Sequence, residues 1–331
     1  MAKPKADYVV GVDLGGTKIL AAVVDTQGNI VGRSKRKTLP SAATNPDPPL
    51  VADRIAVTVQ EAVAAAKLSM VNVKAVGASA PGPVNVDTGW VYKAANLPGW
   101  HNGYDLGPEL SKRLQVPVVV DNDVNLGTLG EAVYGAGQGY ADLIGIFVGT
   151  GIGGGLILGG RLRRGFRWAA GEIGHMTVAK GGPLCGCGER GHVEAIASRG
   201  AISRRLGEAI AAGEPTALMV KEGGVIASGE IRKALDASDP LTQRVLLESE
   251  ETLGIFIASL VNLLDPQCVV LGGGLVESLG QPYVTAVAEH AYAHFFLKDD
   301  MDKVKIVQAG LGDNATVLGA SVLARNLKAN I

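Results

Sequence analysis

Cysteine is scarce in this chain, with three among 331 residues. The number is odd, Cys185 and Cys187 stand one residue apart, and Cys268 lies in the strand-like stretch QCVVLGGG. That distribution argues against a disulfide framework and for reduced thiols or metal ligands. Aromatic residues are also few, at 5%, and histidine occurs five times. An excess of either charge is missing, since acids and bases nearly cancel to a net −1. A basic footprint for nucleic acid or for an anionic membrane is therefore absent, and any bound anion must be held locally. The longest apolar run, LGIFIASLVNLL at 253–264, is too short to span a bilayer and is broken by Asn262, so it reads as a buried helix. Behind the lysines of MAKPKADYVVGVD the apolar stretch ends at Asp13, unlike a signal peptide, and a cytoplasmic protein is expected.

Glycine is abundant, at 46 residues, in a composition that is 47% hydrophobic and 19% charged. This is an ordinary globular composition with many tight backbone turns. The length exceeds the ~100 to 200 residues usual for one domain, so two lobes are expected. Strand-like YVVGVDL and KILAAVV flank a glycine turn, DTQGN turns the chain again, and a β-meander results. After NPDPP, Val51, Ile55, Val59, Ala62 and Ala66 recur at helical spacing. VKAVGASAPGPV reads as a strand ending in a turn, and LGPELSKRL as a short helix. VPVVV is a strand whose end presents Asp121, Asn122, Asp123 and Asn125 just before another helix. From 141 the opening pattern returns as DLIGIFV, GTGIGGG and LILGGRL, which suggests two related α/β lobes with a cleft between them. The stretch from about 193 to 265 reads as mostly helical, and the chain ends in a helix capped by Asp313 or Asn314.

The two glycine turns, DLGGTK and GTGIGGG, are candidate phosphate cradles. Glycine lets backbone N–H groups approach an anion without a Cβ in the way, and Thr17, Lys18 and Thr150 add donors. Either turn alone reads more readily as a hairpin; their repetition in matching positions reverses that preference toward phosphate. Gly149, Gly151 and Gly154 also fit G-x-G-x-x-G, but GGGLILGGRL offers no helical period, and no Walker A motif is present. Phosphoryl transfer to an alcohol needs a carboxylate to orient the hydroxyl and take its proton. Asp123 is the candidate, against the plainer reading that Asp121 or Asp123 caps the following helix. Glu172 with His175, and His192 with Glu194, suit recognition of a polyhydroxyl ligand. His175, Cys185, Cys187 and His192 form a two-thiolate, two-imidazole set suited to tetrahedral zinc. Because C-x-C is not the usual C-x₂-C knuckle, spacing alone leaves zinc and chance clustering both open.

In order along residues 8 to 325, DLGGTK, DNDVN, VGTGIGGG, GEIGHM and CGCGERGHVE resemble the ROK family of bacterial sugar kinases and repressors. The resemblance implies an α/β, actin-like (ribonuclease H-like) two-lobed ATPase fold with sugar and ATP in the interlobe cleft. It places a small lobe at 1–122, completed by a C-terminal helix at 313–331, and a large lobe at 123–312 carrying a zinc segment at 175–194. The implied activity is ATP-dependent phosphorylation of glucose at the 6-hydroxyl, with Asp123 as general base. Asn122, Glu172, His175 and Glu194 become sugar contacts, and Ala80, Pro81, Gly82 and Asn96 wall the pocket. Gly15, Gly16, Thr17, Lys18, Gly149, Thr150, Gly151, Gly153 and Gly154 match phosphate loops. Asp13 sits near the expected Mg²⁺, and Gly272, Gly273 and Gly274 match the nucleotide end.

The family's zinc ligands fall on His175, Cys185, Cys187 and position 192, where a third cysteine is usual and this chain has histidine. Histidine is a competent zinc ligand, so a structural Zn²⁺ is expected. A homodimer or dimer of dimers is implied. The alternatives are a kinase of another sugar (N-acetylmannosamine, N-acetylglucosamine, mannose or fructose) and a non-catalytic sugar sensor. The family's repressors carry a helix-turn-helix ahead of the kinase-like part, whereas the first strand here opens by Tyr8. Polyphosphate as donor is a further alternative, suggested by the four arginines of GRLRRGFRW at 160–168.

Overall fold

The structure is a computed structural model that describes residues 8–40, 47–92, 97, 99–100, 102–218 and 226–327. In chain order the first elements are β1 (Tyr8–Leu14), β2 (Lys18–Val24), β3 (Ile30–Lys37), α1 (Pro48–Ala65), β4 (Val73–Ala80), β5 (Val84–Asn85) and β6 (Trp90–Val91). They are followed by α2 (Leu106–Leu114), β7 (Val118–Asn122), α3 (Asp123–Tyr134), β8 (Leu143–Val148), β9 (Ile152–Leu158) and β10 (Arg161–Leu162). The remainder is α4 (Glu194–Ala197), α5 (Arg199–Ala211), α6 (Ser228–Asp236), α7 (Pro240–Leu264), β11 (Cys268–Gly272), α8 (Gly274–Leu279), α9 (Gln281–Ala293), β12 (Lys305–Gln308) and α10 (Ala315–Arg325).

Two five-stranded sheets carry the chain, ordered β3-β2-β1-β4-β7 and β10-β9-β8-β11-β12. In the first, β1 to β3 form the antiparallel meander, and β4 and β7 add on in parallel. Val9, Val10, Val12 and Leu14 are fully buried, so β1 reads as a continuous apolar run. On β3, at the sheet edge, exposed and half-buried residues alternate and Arg33, Lys35 and Lys37 recur every second position, which blunts edge pairing. Pro48 begins α1, which buries Val51, Ile55, Val59 and Ala62; Ala66 falls just past its end. The terminal helix α10 packs on β1, β4 and α3. The approach depends on two glycines: a Cβ on Gly11 would lie 1.8 Å from Val317 O, and one on Gly77 1.9 Å from Ala320 O.

In the second sheet β8, β11 and β12 run parallel, with Leu143, Ile144, Ile146, Val269 and Val270 buried. Ile152–Leu158, which follows the second glycine turn, is a strand, so the dinucleotide fingerprint has no helix to open. The long helix α7 is capped by Asp239, whose carboxylate accepts from Thr242 N at 2.8 Å.

The chain divides into two compact units, Met1–Ala141 with Gly155–Gly171 and Asp313–Ile331, and Asp142–Gly154 with Glu172–Gly312. The boundary passes within β9. Where the sequence reading set α3 and residues 155–171 in the large lobe, their contacts place them in the first unit. Neither Asp313 nor Asn314 caps α10 through its side chain; the Asp313 carboxylate accepts instead from Lys18 Nζ at 3.1 Å. Among the described residues, no helix is long and apolar enough to cross a membrane.

Candidate functional site

In the first unit the polar groups collect at the carboxyl ends of β1, β4 and β7. The Ser79 hydroxyl, at the end of β4, accepts from Leu14 N (2.9 Å) and donates to Asp13 Oδ1 (3.1 Å). Burial raises the Asp13 carboxyl above its ordinary value, with Ser79 and the Lys18 charge opposing. Beyond Asp13 the turn is closed by Gly15 N donating to Lys18 O, and Thr38 Oγ1 donates to Gly15 O. Gly16 and Thr17 are exposed. Lys18, read as a phosphate donor, makes its ion pair with Asp313 at a partly exposed position.

The end of β7 assigns three adjacent residues three different tasks. Asp121 is buried: its Oδ1 accepts from Asn122 N and Asn125 Nδ2, and its Oδ2 accepts from Arg164 Nε at 2.7 Å. Asp121 and Arg164 are 1% and 8% exposed, so both charges depend on each other. Asn122 is the cap of α3, its Oδ1 accepting from Val124 N and Asn125 N, while its Nδ2 donates to Gly82 O at 3.1 Å. That bond ties the Ala80–Pro81–Gly82 turn to the start of α3. Asp123 begins the helix with a half-buried carboxylate whose Oδ1 also accepts from Val124 N at 3.0 Å. The capping role therefore belongs chiefly to Asn122. Asn96 lies outside the described residues.

In the second unit the matching turn is Gly149–Gly151, with Gly149 N donating to Gly151 O at 2.9 Å. Gly153 and Gly154 stand inside β9 rather than in the turn. Glu194 Oε2 accepts from Ile152 N at 2.9 Å, and a Cβ on Gly151 would lie 2.2 Å from that oxygen. At the end of β11, Gly273 has φ +88°, and a Cβ there would lie 2.7 Å from Val148 N and O. Gly149 and Gly274 face open space.

The cysteine segment folds on short bridges, Thr177 with His192 and Leu184 with Arg190, around a turn in which Gly188 N donates to Cys185 O. One donor atom from each of His175, Cys185, Cys187 and His192 comes within 4.8 Å of the others. Cys185 Sγ is 3.8 Å from His175 Nδ1, and Cys187 Sγ is 3.3 Å from His192 Nδ1. Ligands ~2.0 to 2.3 Å from one ion at tetrahedral angles have such separations, and the donor types suit zinc. Burial first, with the Glu194 charge adding, pushes the Cys185 thiol up to about 11, so a cation is needed to hold it as thiolate. His175 turns Nδ1 to this cluster and Nε2 toward Glu172, 3.9 Å from its Oε2. Burial raises the Glu172 carboxyl above its ordinary value, His175 opposing and Glu194 adding.

The structure thus gathers Ala80–Gly82 with Asn122 in one unit, and Glu172, His175 and Glu194 with the cysteines in the other. Sequence reasoning missed Ser79, for which no local signal exists. It treated Arg164 as one of four arginines in a run, and Arg199 not at all, although Arg199 Nη2 donates to Thr150 Oγ1.

The ROK family matches residues 9–327. A glucokinase of Halalkalibacterium halodurans is 34% identical over 321 residues, covering 96% of this chain and 95% of that protein. An N-acetylgalactosamine kinase, AgaK, of a Shewanella species is 32% identical over 329 residues, covering 97% and 98%. The crystal structure of a ROK family glucokinase from Streptomyces griseus in complex with glucose and AMPPNP matches with a TM-score of 0.82 and 34% identity, covering 96% of this chain and 99% of that one. With its paired α/β sheets the chain has the actin-like fold of these kinases, and it belongs to the ROK family.

Proposed function

We propose that the protein transfers the γ-phosphoryl group of ATP to the 6-hydroxyl of glucose. The observation that carries this reading is the division of labour at the end of β7. Arg164 neutralises Asp121 and Asn122 caps α3, so Asp123 is the carboxylate suited to accept a sugar proton. The carboxylate orients the hydroxyl for in-line attack and takes its proton, a general-base contribution of typically ~10² to 10⁴-fold. In this reading Ala80, Pro81, Gly82 and Asn122 of the first unit are sugar contacts, and so are Glu172, His175 and Glu194 of the second. Backbone N–H groups of the turns at 15–18 and 149–151, and of Gly272–Gly274, serve the phosphates.

Mg²⁺ brought with ATP would neutralise phosphate oxygens, and Asp13 is the carboxylate that would hold it in this reading. Zn²⁺ on His175, Cys185, Cys187 and His192 is structural in this reading. The cluster adjoins two of the proposed sugar contacts, because Cys185 Sγ lies 3.4 Å from Glu194 Oε1 and His175 faces Glu172. Assembly as a homodimer or dimer of dimers and a cytoplasmic location complete the reading. The full-length glucokinase relatives support glucose; the N-acetylgalactosamine kinase relative keeps another hexose or N-acetylhexosamine as the second reading.

The test is the initial rate with Mg-ATP on glucose, N-acetylgalactosamine, N-acetylmannosamine, N-acetylglucosamine, mannose and fructose. Highest kcat/KM for glucose is expected. Preference for another sugar retains the kinase and changes its substrate, and turnover of none overturns the reading.

A further inference from the structure

The start of α5 grips the Gly149–Gly151 turn at three points. Ser198 caps the helix, its Oγ accepting from Ala201 N at 3.1 Å. The next two residues reach back to the turn: Arg199 N donates to Gly149 O at 3.0 Å, and Gly200 N to Thr150 O at 3.3 Å. A Cβ on Gly200 would lie 2.6 Å from Thr150 O, so the close approach requires glycine. With its backbone fixed there, Arg199 sets Nη2 2.5 Å from Thr150 Oγ1.

A guanidinium only donates hydrogen bonds. Thr150 Oγ1 must therefore accept, and its own proton points away from Arg199. Thr150 is exposed, and Gly149 beside it faces open space. Among the described residues Arg199 has no carboxylate partner, in contrast to Lys18 of the other turn, which is paired with Asp313. We propose that Arg199 is a positioning residue for the triphosphate: it fixes the Thr150 hydroxyl as a donor to a phosphate oxygen and lends an unneutralised positive charge to that turn. The inference rests on the reading of 149–151 as a phosphate loop.

The experiment is calorimetric binding of Mg-ATP to the full chain, without sugar, with KM for ATP, sugar affinity and Tm measured alongside. Arg199→Met is expected to weaken Mg-ATP binding about tenfold, the scale of one hydrogen bond to a charged group. Sugar affinity and Tm should stay unchanged, and Arg199→Lys should recover part of the loss. Thr150→Val should show a similar loss, and the double variant should lose little more than either single one. Wild-type affinity in Arg199→Met, or losses that multiply fully in the double variant, overturns the proposal. A wild-type protein that binds Mg-ATP tightly but phosphorylates no sugar fails the kinase reading alone, because the binding comparison still decides the role of Arg199.

Discussion

The two sheets share one strand order, three neighbouring strands in hairpin sequence followed by two parallel ones, yet their strand ends carry opposite chemistry. In the first unit the ends of β1 and β7 present Asp13, Asp121 and Asp123. In the second, the ends of β8 and β11 present Gly149, Gly272 and Gly273, with Thr150 and Arg199 beside them. The glycine turns look alike in sequence but are held differently. The first is pinned by Thr38 of the neighbouring segment, and its lysine is neutralised by Asp313. The second is pinned by Glu194 on a backbone N–H and by Arg199 on a hydroxyl. One frame, used twice, ends in carboxylates in one copy and in glycines beside a threonine and an arginine in the other, because the chemistry resides in the strand-end residues and not in the sheet.

The acid side should break hardest at its buried ion pair. Arg164→Met leaves Asp121 charged without its partner and should destabilise the first unit by about 3–5 kcal/mol, read from urea unfolding. Adding Asp121→Asn to that variant should restore part of the stability, since the stranded charge is then gone. Equal stability of Arg164→Met and wild type would remove this pair from the account.

A smaller effect is expected at the cysteine cluster. Cys185→Ala should release zinc, measured as bound metal per chain, and raise KM for the sugar while leaving KM for ATP nearly unchanged. Retained zinc with unaltered kinetics would detach the cluster from the sugar side.

The smallest effect concerns α7 and sharpens the contrast in how the units carry charge. Burial pushes the Glu250 carboxyl up from 4.5 to about 7. Its raised value means the folded state holds the proton more tightly, so stability falls as pH rises from about 4.5 through 7. Glu250→Gln should therefore raise Tm at pH 8 and leave it nearly unchanged at pH 4.5. A shift of equal size at both pH values would contradict the assignment.

Much of this arrangement was legible in the residues. The meander, α1 with its Val51, Ile55, Val59 and Ala62 stripe, and the repeated strand, glycine, strand units follow from local periodicity and turn chemistry. The cluster of His175, Cys185, Cys187 and His192 was visible because its members lie close in sequence as well as in space. What escaped depends on distance along the chain. Asp313 was expected to cap its own helix but is taken by Lys18, 295 positions away. Asp121, which the sequence offers as a cap of α3, is instead paired with Arg164, 43 positions on. Arg199 reaches Thr150 across 49 positions. No propensity or spacing rule registers such pairs, since each residue is locally unremarked and its role comes from the fold.

The most direct measurement is glucose phosphorylation by Asp123→Asn, with glucose and Mg-ATP affinities determined on the same protein. If the carboxylate of the first unit is the general base, kcat falls by ~10² to 10⁴-fold while both affinities stay close to wild type. A kcat near wild type would contradict the account and leave the end of β7 a structural turn.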